Sequence, residues 1–281
     1  MLRPRVGHIQ FLNCLPLYYG LVKSHALLDI ELIKGVPTEL NNLLIKGSLD
    51  ISPVSSIEYA RHHDSLILFP DFTVSSDGEV KSILLLSRFP IEELSNKKIA
   101  LTSTSATSQV LLKLILNRGY GIAPEYFTSQ PDFNRMLSDA DAALLIGDIA
   151  LKYYVEAKDF YLYDLGLEWK KLTGKKMVYA VWAVNRNFAD TKRDLCEYVF
   201  ETFKKSIDYS TEHLTEIVEY ASKWEPFSRS FLFDYFKSLR FDFGEDYQEG
   251  LLHFYKLATE IGELEKVPEL EFINVRSGVK A

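Results

Sequence analysis

The chain has 281 residues, of which 47% are hydrophobic, 25% charged and 13% aromatic. That balance fits a soluble globular protein with a large core and excludes a disordered or fibrous chain. A net charge of -7 argues against a nucleic-acid binder, which needs a basic face, but leaves a small anionic ligand open, since backbone amides and hydroxyls can hold one.

In chain order, residues 6–11 alternate as a strand and 16–23 have helical spacing. Between them, Asn13 is a good helix N-cap and Pro16 fits a first helical turn, so free backbone N–H groups should converge there. A strand at 30–34 leads to a helix ending near Gly47, with Thr38 as its cap. Residues 50–53 read as a short strand, Ser55 or Ser56 as the next cap, and 65–69 as another strand. Asp77-Gly78 reads as a turn.

A second block starts near residue 80, with strands at 80–87 and 97–104 and an amphipathic helix over 106–120. Residues 141–154 read as a buried strand that turns at Gly147 into a helix. Residues 177–185 form a long apolar strand. Beyond Asn185 the pattern is helical, with apolar residues three and four apart. Alternating strands and helices imply an α/β protein with parallel sheets and a ligand at the strand ends. Two such blocks joined near 80–87 and 177–185 suggest two lobes with a cleft between them.

Four stretches repeat one design, a strand followed by small polar residues and a helix start: FLNCLP (11–16), SPVSSIE (52–58), TSTSATSQ (102–109) and LIGDIAL (145–151). In the third, Thr102, Ser103, Thr104, Ser105, Thr107 and Ser108 gather six hydroxyls where a cap needs one, which points to an anion site. Asp148 reads equally as an N-cap or as a group that bonds a substrate hydroxyl or moves a proton. Cys14 and Cys196 read as free thiols, His8 as a core histidine, and the adjacent His62 and His63 point in different directions on a helix, unlike metal ligands. No apolar leader precedes the first strand, so neither a signal peptide nor a membrane span is expected, and the chain reads as cytoplasmic.

The runs GHIQFLNCLPLYYGL, DISPVSSIEYA, GEVKSILLLS, TSTSATSQVLLKLIL and ALLIGDIAL, in this order, resemble the chorismate dehydratases of the futalosine route to menaquinone. The helical stretch FGEDYQEGLLHFYKLATEIG is also similar. The resemblance implies a two-lobed fold like type II periplasmic binding proteins, with two crossing strands and a helical C-terminal part. The lobes would comprise residues 1–84 with 182–281, and 85–181. It implies loss of water from chorismate, a small dicarboxylate, to give 3-[(1-carboxyvinyl)oxy]benzoate, with no cofactor and no metal. By position it carries over Asn13, Ser82 and Asp148 as residues at the reacting ring. Ser103, Ser105, Thr107, Ser108 and Gly147 would bind substrate from one side, and Ser55 and Ser56 from the other. The base stays open, the substrate's own enolpyruvyl carboxylate being one choice. The rival readings are the sister enzyme that forms 1,4-dihydroxy-6-naphthoate, a non-catalytic small-anion binding protein, and an interaction protein using its helical end. The sister's N-terminal motif is closer to SPCPND than to the NCLPL at 13–17.

Overall fold

The computed structural model describes residues 3–275. Its strands are β1 (Arg5–Ile9), β2 (Glu31–Gly35), β3 (Ile51–Ser55), β4 (Leu66–Ser76), β5 (Ile83–Ser87), β6 (Lys98–Thr102), β7 (Glu125–Ser129), β8 (Ala142–Ile146), β9 (Tyr161–Asp164) and β10 (Met177–Asn185). They form two mixed five-stranded sheets, ordered β2-β1-β3-β10-β4 and β7-β6-β8-β5-β9. β10 lies antiparallel between β3 and β4, and β5 antiparallel between β8 and β9. The chain passes between the sheets at 77–82 and at 174–176. The two apolar strands singled out in the sequence, β5 and β10, are the first strands after these crossings.

Position in the sheet explains the strand sequences. β3, β5 and β8 are interior strands, and every residue in them is buried. They read as unbroken apolar or small-residue runs because both faces are covered. β7 and β9 are half-exposed edge strands with mixed composition, and the sequence pattern passed over both. β4 is an edge strand too, but it runs for 11 residues, not the five of 65–69. It continues through Pro70 and through Asp71 at φ +64, where its register against β10 shifts. A proline removes a ladder donor and is tolerated at an edge or bulge, so Pro70 marks a kink and not the strand end. Two later segments cover that edge: Arg240 pairs with Ser75, and Phe272 with Leu68.

The first lobe carries α1 (Leu15–Lys23), α2 (Pro37–Ile45) and α3 (Ser56–Arg61). The second carries α4 (Ala106–Leu114), which continues as a wider turn over Ile115–Gly119, then α5 (Phe133–Asp139), α6 (Gly147–Glu156) and α7 (Leu165–Thr173). Thr38 is not the cap of α2. Val36 holds that position, Pro37 takes the first helical place, and Glu39 accepts the Val36 N–H at 3.3 Å. A proline is pre-organised for that first place and lacks the N–H a cap would satisfy, which moves the helix start two residues earlier.

The C-terminal part comprises α8 (Arg186–Thr191), α9 (Arg193–Glu212), α10 (Leu214–Ala221), α11 (Arg229–Ser238) and α12 (Glu245–Glu260). It binds the lobes together. The Ser206 and Ser210 hydroxyls on α9 donate to the Leu17 and Pro16 carbonyls of α1. Gly20 permits this approach, since a Cβ there would lie 2.4 Å from the Ser206 carbonyl oxygen. Beyond α12, Glu263 pairs with Arg61 of the first lobe and Lys113 of the second. α10 and α11 close a buried cluster that joins Leu12 of the first lobe to Leu151 of the second. Each large apolar side chain fully buried in such a cluster contributes roughly 1.5–3 kcal/mol.

Candidate functional site

Four loops meet where the strands of the two sheets end. In the first, β1 gives way to a 3-10 turn, Leu12–Cys14, and then to α1. Asn13 does not cap α1. Cys14 occupies the cap position, and no side chain bonds to the helix end. The Asn13 Oδ1 is instead buried with no protein partner, the state of an acceptor held for a ligand. In the second loop, Ser55 ends β3, and Asn41 grips it at two points: the Ser55 N–H donates to Asn41 Oδ1 at 3.2 Å, and Asn41 Nδ2 donates to the Ser55 hydroxyl at 3.3 Å.

In the third loop, Ser105 caps α4 by accepting the Ser108 N–H at 3.2 Å, and the two hydroxyls lie 2.8 Å apart. The other N–H groups of the first turn face out of the helix end, where the helix dipole favours an anion. In the fourth, Gly147 joins β8 to α6 at φ +66. Glycine is needed twice over. The conformation is left-handed, and a Cβ would lie 3.1 Å from the Phe11 ring. The Gly147 N–H donates to the Ser82 carbonyl at 2.8 Å.

Ser82 sits just before β5, in the first crossing and not inside the strand. Lys81 beside it has φ +60. This turn is held by Asp164, whose carboxylate accepts the Val80 N–H at 3.1 Å and the Lys81 N–H at 2.6 Å, as well as the N–H groups of Gly166 and Leu167 that open α7. Burial pushes the Asp164 carboxyl up to about 6, against the pull of these donors. The sequence pattern gave no reason to tie it to this turn, because its Val80 and Lys81 partners lie more than 80 residues away.

Asn13, Ser55, Ser82, Ser105, Ser108 and Gly147 line one cavity of about 60 Å³. Among the described residues no Asp, Glu, Lys, Arg or His lines it. Tyr179, absent from the sequence-based set, forms part of the wall, with its hydroxyl 2.9 Å from that of Ser76. Pockets for small ligands are usually about 300–1,000 Å³, so this cavity is a closed cleft that must widen to take one.

Four of the expected site residues lie off that lining. The Ser56 and Thr107 hydroxyls are buried 3.2 Å apart, and Thr107 Oγ1 also accepts the Ile57 N–H at 3.2 Å. They join α3 of one lobe to α4 of the other. Ser103 is half-buried, and its N–H pairs with the Ser129 carbonyl. Asp148 accepts the Leu12 N–H at 2.9 Å, another bond from lobe to lobe. Burial pushes its carboxyl up to about 6, with the Leu12 donor opposing and Glu225 adding to the shift.

Cys14 and Cys196 are buried free thiols, and burial pushes both up to about 12, far from a nucleophile's range. His8 packs against Tyr18 with ring centroids 3.7 Å apart and the rings tilted by 31°, and burial together with Lys34 lowers it to about 4, so it stays neutral. Among the described residues no three His, Cys, Asp or Glu side chains cluster as metal ligands, and no helix is long and apolar enough to cross a membrane.

Two lobes on mixed sheets, linked by two crossings and meeting at a cleft, define the periplasmic-binding-protein class of fold. A Candida albicans protein described as having the generic periplasmic binding protein fold superimposes with a TM-score of 0.71 at 14% identity, over 99% of each chain. The chain belongs to the menaquinone biosynthesis family, whose model matches residues 4–260. It is 36% identical over 190 residues to the chorismate dehydratase of Thermus thermophilus, covering 61% of this chain and 69% of that protein. It is 27% identical over 216 residues to the chorismate dehydratase of Campylobacter jejuni, covering 72% of this chain and 81% of that one.

Proposed function

We propose that this chain dehydrates chorismate to 3-[(1-carboxyvinyl)oxy]benzoate, at the entry to the futalosine route to menaquinone and in the cytoplasm. The observation that carries this reading is the cleft lining, which offers hydroxyls, a free Asn13 amide oxygen and helix N-termini but no charged side chain. Two relatives that bear the name chorismate dehydratase support it.

The reaction breaks the C–H bond at the ether-bearing ring carbon and the C–O bond of the neighbouring hydroxyl. A ring double bond forms, and water leaves. The proton is vinylogous to the ring carboxylate, and aromatisation supplies driving force. This is a heterolytic elimination without change of oxidation state overall, so it needs neither a cofactor nor a metal. The protein's task is to hold two carboxylates, keep water out and steady the departing hydroxide. In the proposed arrangement Ser105, Ser108 and the start of α4 hold one carboxylate, with Ser55 on the opposite wall. The free Asn13 Oδ1 is an acceptor, which suits the substrate hydroxyl. Ser82 faces the reacting ring, and Asp148 ties the closed lobes beside it. With no base among the lining side chains, the substrate's enolpyruvyl carboxylate takes the proton. The moving parts are residues 1–84 with 182–281, and residues 85–181.

The test is to mix the purified protein with chorismate, without added metal or cofactor, and follow the products by mass spectrometry. A product lighter by one water is expected. Unchanged chorismate would overturn the reading in favour of the naphthoate-forming sister or a pure binding protein.

A further inference from the structure

Asn41 stands on α2 behind the cleft wall, only 3% exposed, and meets the lining at Ser55. Ser55 holds the N-cap position of α3, where a serine ordinarily bonds the helix end, yet its hydroxyl makes no such bond. Asn41 sets its direction instead. The Ser55 N–H can only donate, so the atom that faces it at 3.2 Å is the Asn41 amide oxygen. That fixes which way the amide lies. The amide nitrogen, which can only donate, then faces the Ser55 hydroxyl at 3.3 Å. The Ser55 oxygen is therefore the acceptor of the pair, and its own proton is left over. Among the described residues no side chain or carbonyl takes that proton, and Ser55 lines the cleft, where a ligand would supply an acceptor.

We propose that Asn41 is a positioning residue: by donating to Ser55 Oγ it reserves the Ser55 proton for the ligand and makes Ser55 a donor to a substrate carboxylate. This rests on the reading above, in which Ser55 faces chorismate from the wall opposite Ser105 and Ser108. A hydroxyl that accepts one hydrogen bond is a stronger donor in the next, so the amide both aims Ser55 and strengthens it. A carboxylate is held alike before and during the elimination, so the effect belongs in KM more than in kcat.

The experiment is steady-state kinetics on chorismate with Asn41→Asp and Asn41→Ala, each made in the wild type and in Ser55→Ala. Aspartate keeps the shape and an acceptor for the Ser55 N–H, but an ionised carboxylate cannot donate. It takes the Ser55 proton for itself and turns the hydroxyl away from the cleft. Asn41→Asp should raise KM about tenfold or more, with kcat changed less than about threefold. Alanine only frees the hydroxyl, so Asn41→Ala should raise KM less, although it removes more of the side chain. A residue that merely packed would show the reverse order. In Ser55→Ala there is no hydroxyl to turn, and neither change at Asn41 should raise KM further. Asn41→Ala should still lower the melting temperature there, because the N–H of residue 55 loses its acceptor in both backgrounds. An unchanged KM in Asn41→Asp, or equal KM rises in both backgrounds, would overturn the proposal; the second is what simple repulsion of the substrate by a new carboxylate would give. If Asn41→Asp does not fold, the alanine pair decides, and a KM rise that persists in Ser55→Ala refutes the role. Wild-type KM in Ser55→Ala alone would instead strike the reading that Ser55 holds the substrate, and the proposal with it.

Discussion

The Asp164 carboxylate accepts the Lys81 N–H at 2.6 Å, and through this bond a helix cap in the second lobe fixes the turn that presents Ser82. One buried side chain thus serves two jobs, closing the start of α7 and holding the first crossing in a left-handed conformation at Lys81. Asp164→Asn keeps the volume but turns an amide towards donors. It should destabilise the fold by about 2–4 kcal/mol and lower kcat about tenfold or more. Urea unfolding and steady-state kinetics measure both, and an unchanged urea midpoint would refute the clamp.

Asn13 and Ser82 test the cleft directly. Neither side chain supports the fold strongly: Asn13 Oδ1 has no protein partner, and Ser82 makes a single weak bond. Asn13→Ala and Ser82→Ala should therefore melt within a few degrees of wild type while kcat falls about a hundredfold, the scale of losing one donor or acceptor aimed at developing charge. Wild-type turnover in both purified variants would rule out this cleft as the reaction site.

Much of this layout was legible in the sequence, for physical reasons. Interior strands such as β5 and β8 announce themselves as apolar runs, and helix starts such as Ser105 carry capping chemistry. The edge strands β7 and β9 do not: they have half their surface in water and lose the alternating pattern. The sequence placed Asn13 and Ser105 at loop positions and Ser82 on a strand that in fact begins one residue later, and no motif shows which hydroxyls face the ligand. Ser56 and Thr107 look like Ser55 and Ser108 in sequence, yet they bond each other behind the lining. Tyr179 and Asp164 act through partners 103 and 83 residues away, and no local spacing encodes such contacts.

The Asp148 carboxyl sets a pH dependence. Its native pKa of about 6 lies above the unfolded value near 3.9, so the native state binds the proton more tightly. Its contribution to stability is complete below about pH 4 and is lost as pH rises through 6. Asp148→Asn mimics the protonated form and keeps an acceptor for the Leu12 N–H. It should be at least as stable as wild type at pH 7 and should flatten part of the melting-temperature profile between pH 4 and 6. An unchanged profile would show that Asp148 titrates near the ordinary carboxylate range. In the wild type, kcat/KM should fall below about pH 6 if the anion is the form that ties the lobes, and the asparagine variant should lack that acid limb.

Lobe opening can be tested at Thr107. The cavity of about 60 Å³ cannot hold chorismate, so the cleft must open and close during turnover. The bonds from Thr107 to Ser56 and to the Ile57 N–H run between the lobes, and opening of the cleft is expected to break them. Thr107→Val is nearly isosteric and removes both. Ser56 keeps its bond to the Val178 carbonyl at 2.9 Å, but the Ile57 N–H is left unpaired on closure. The cost falls on the closed state alone, about 1–3 kcal/mol. A ligand then closes fewer molecules at a given concentration, so KM should rise about tenfold or more. Small-angle scattering should show a larger radius of gyration for the ligand-free variant than for wild type, with the two converging at saturating ligand. Identical radii and an unchanged KM would mean that the hydroxyl pair fills space between the helices without biasing closure.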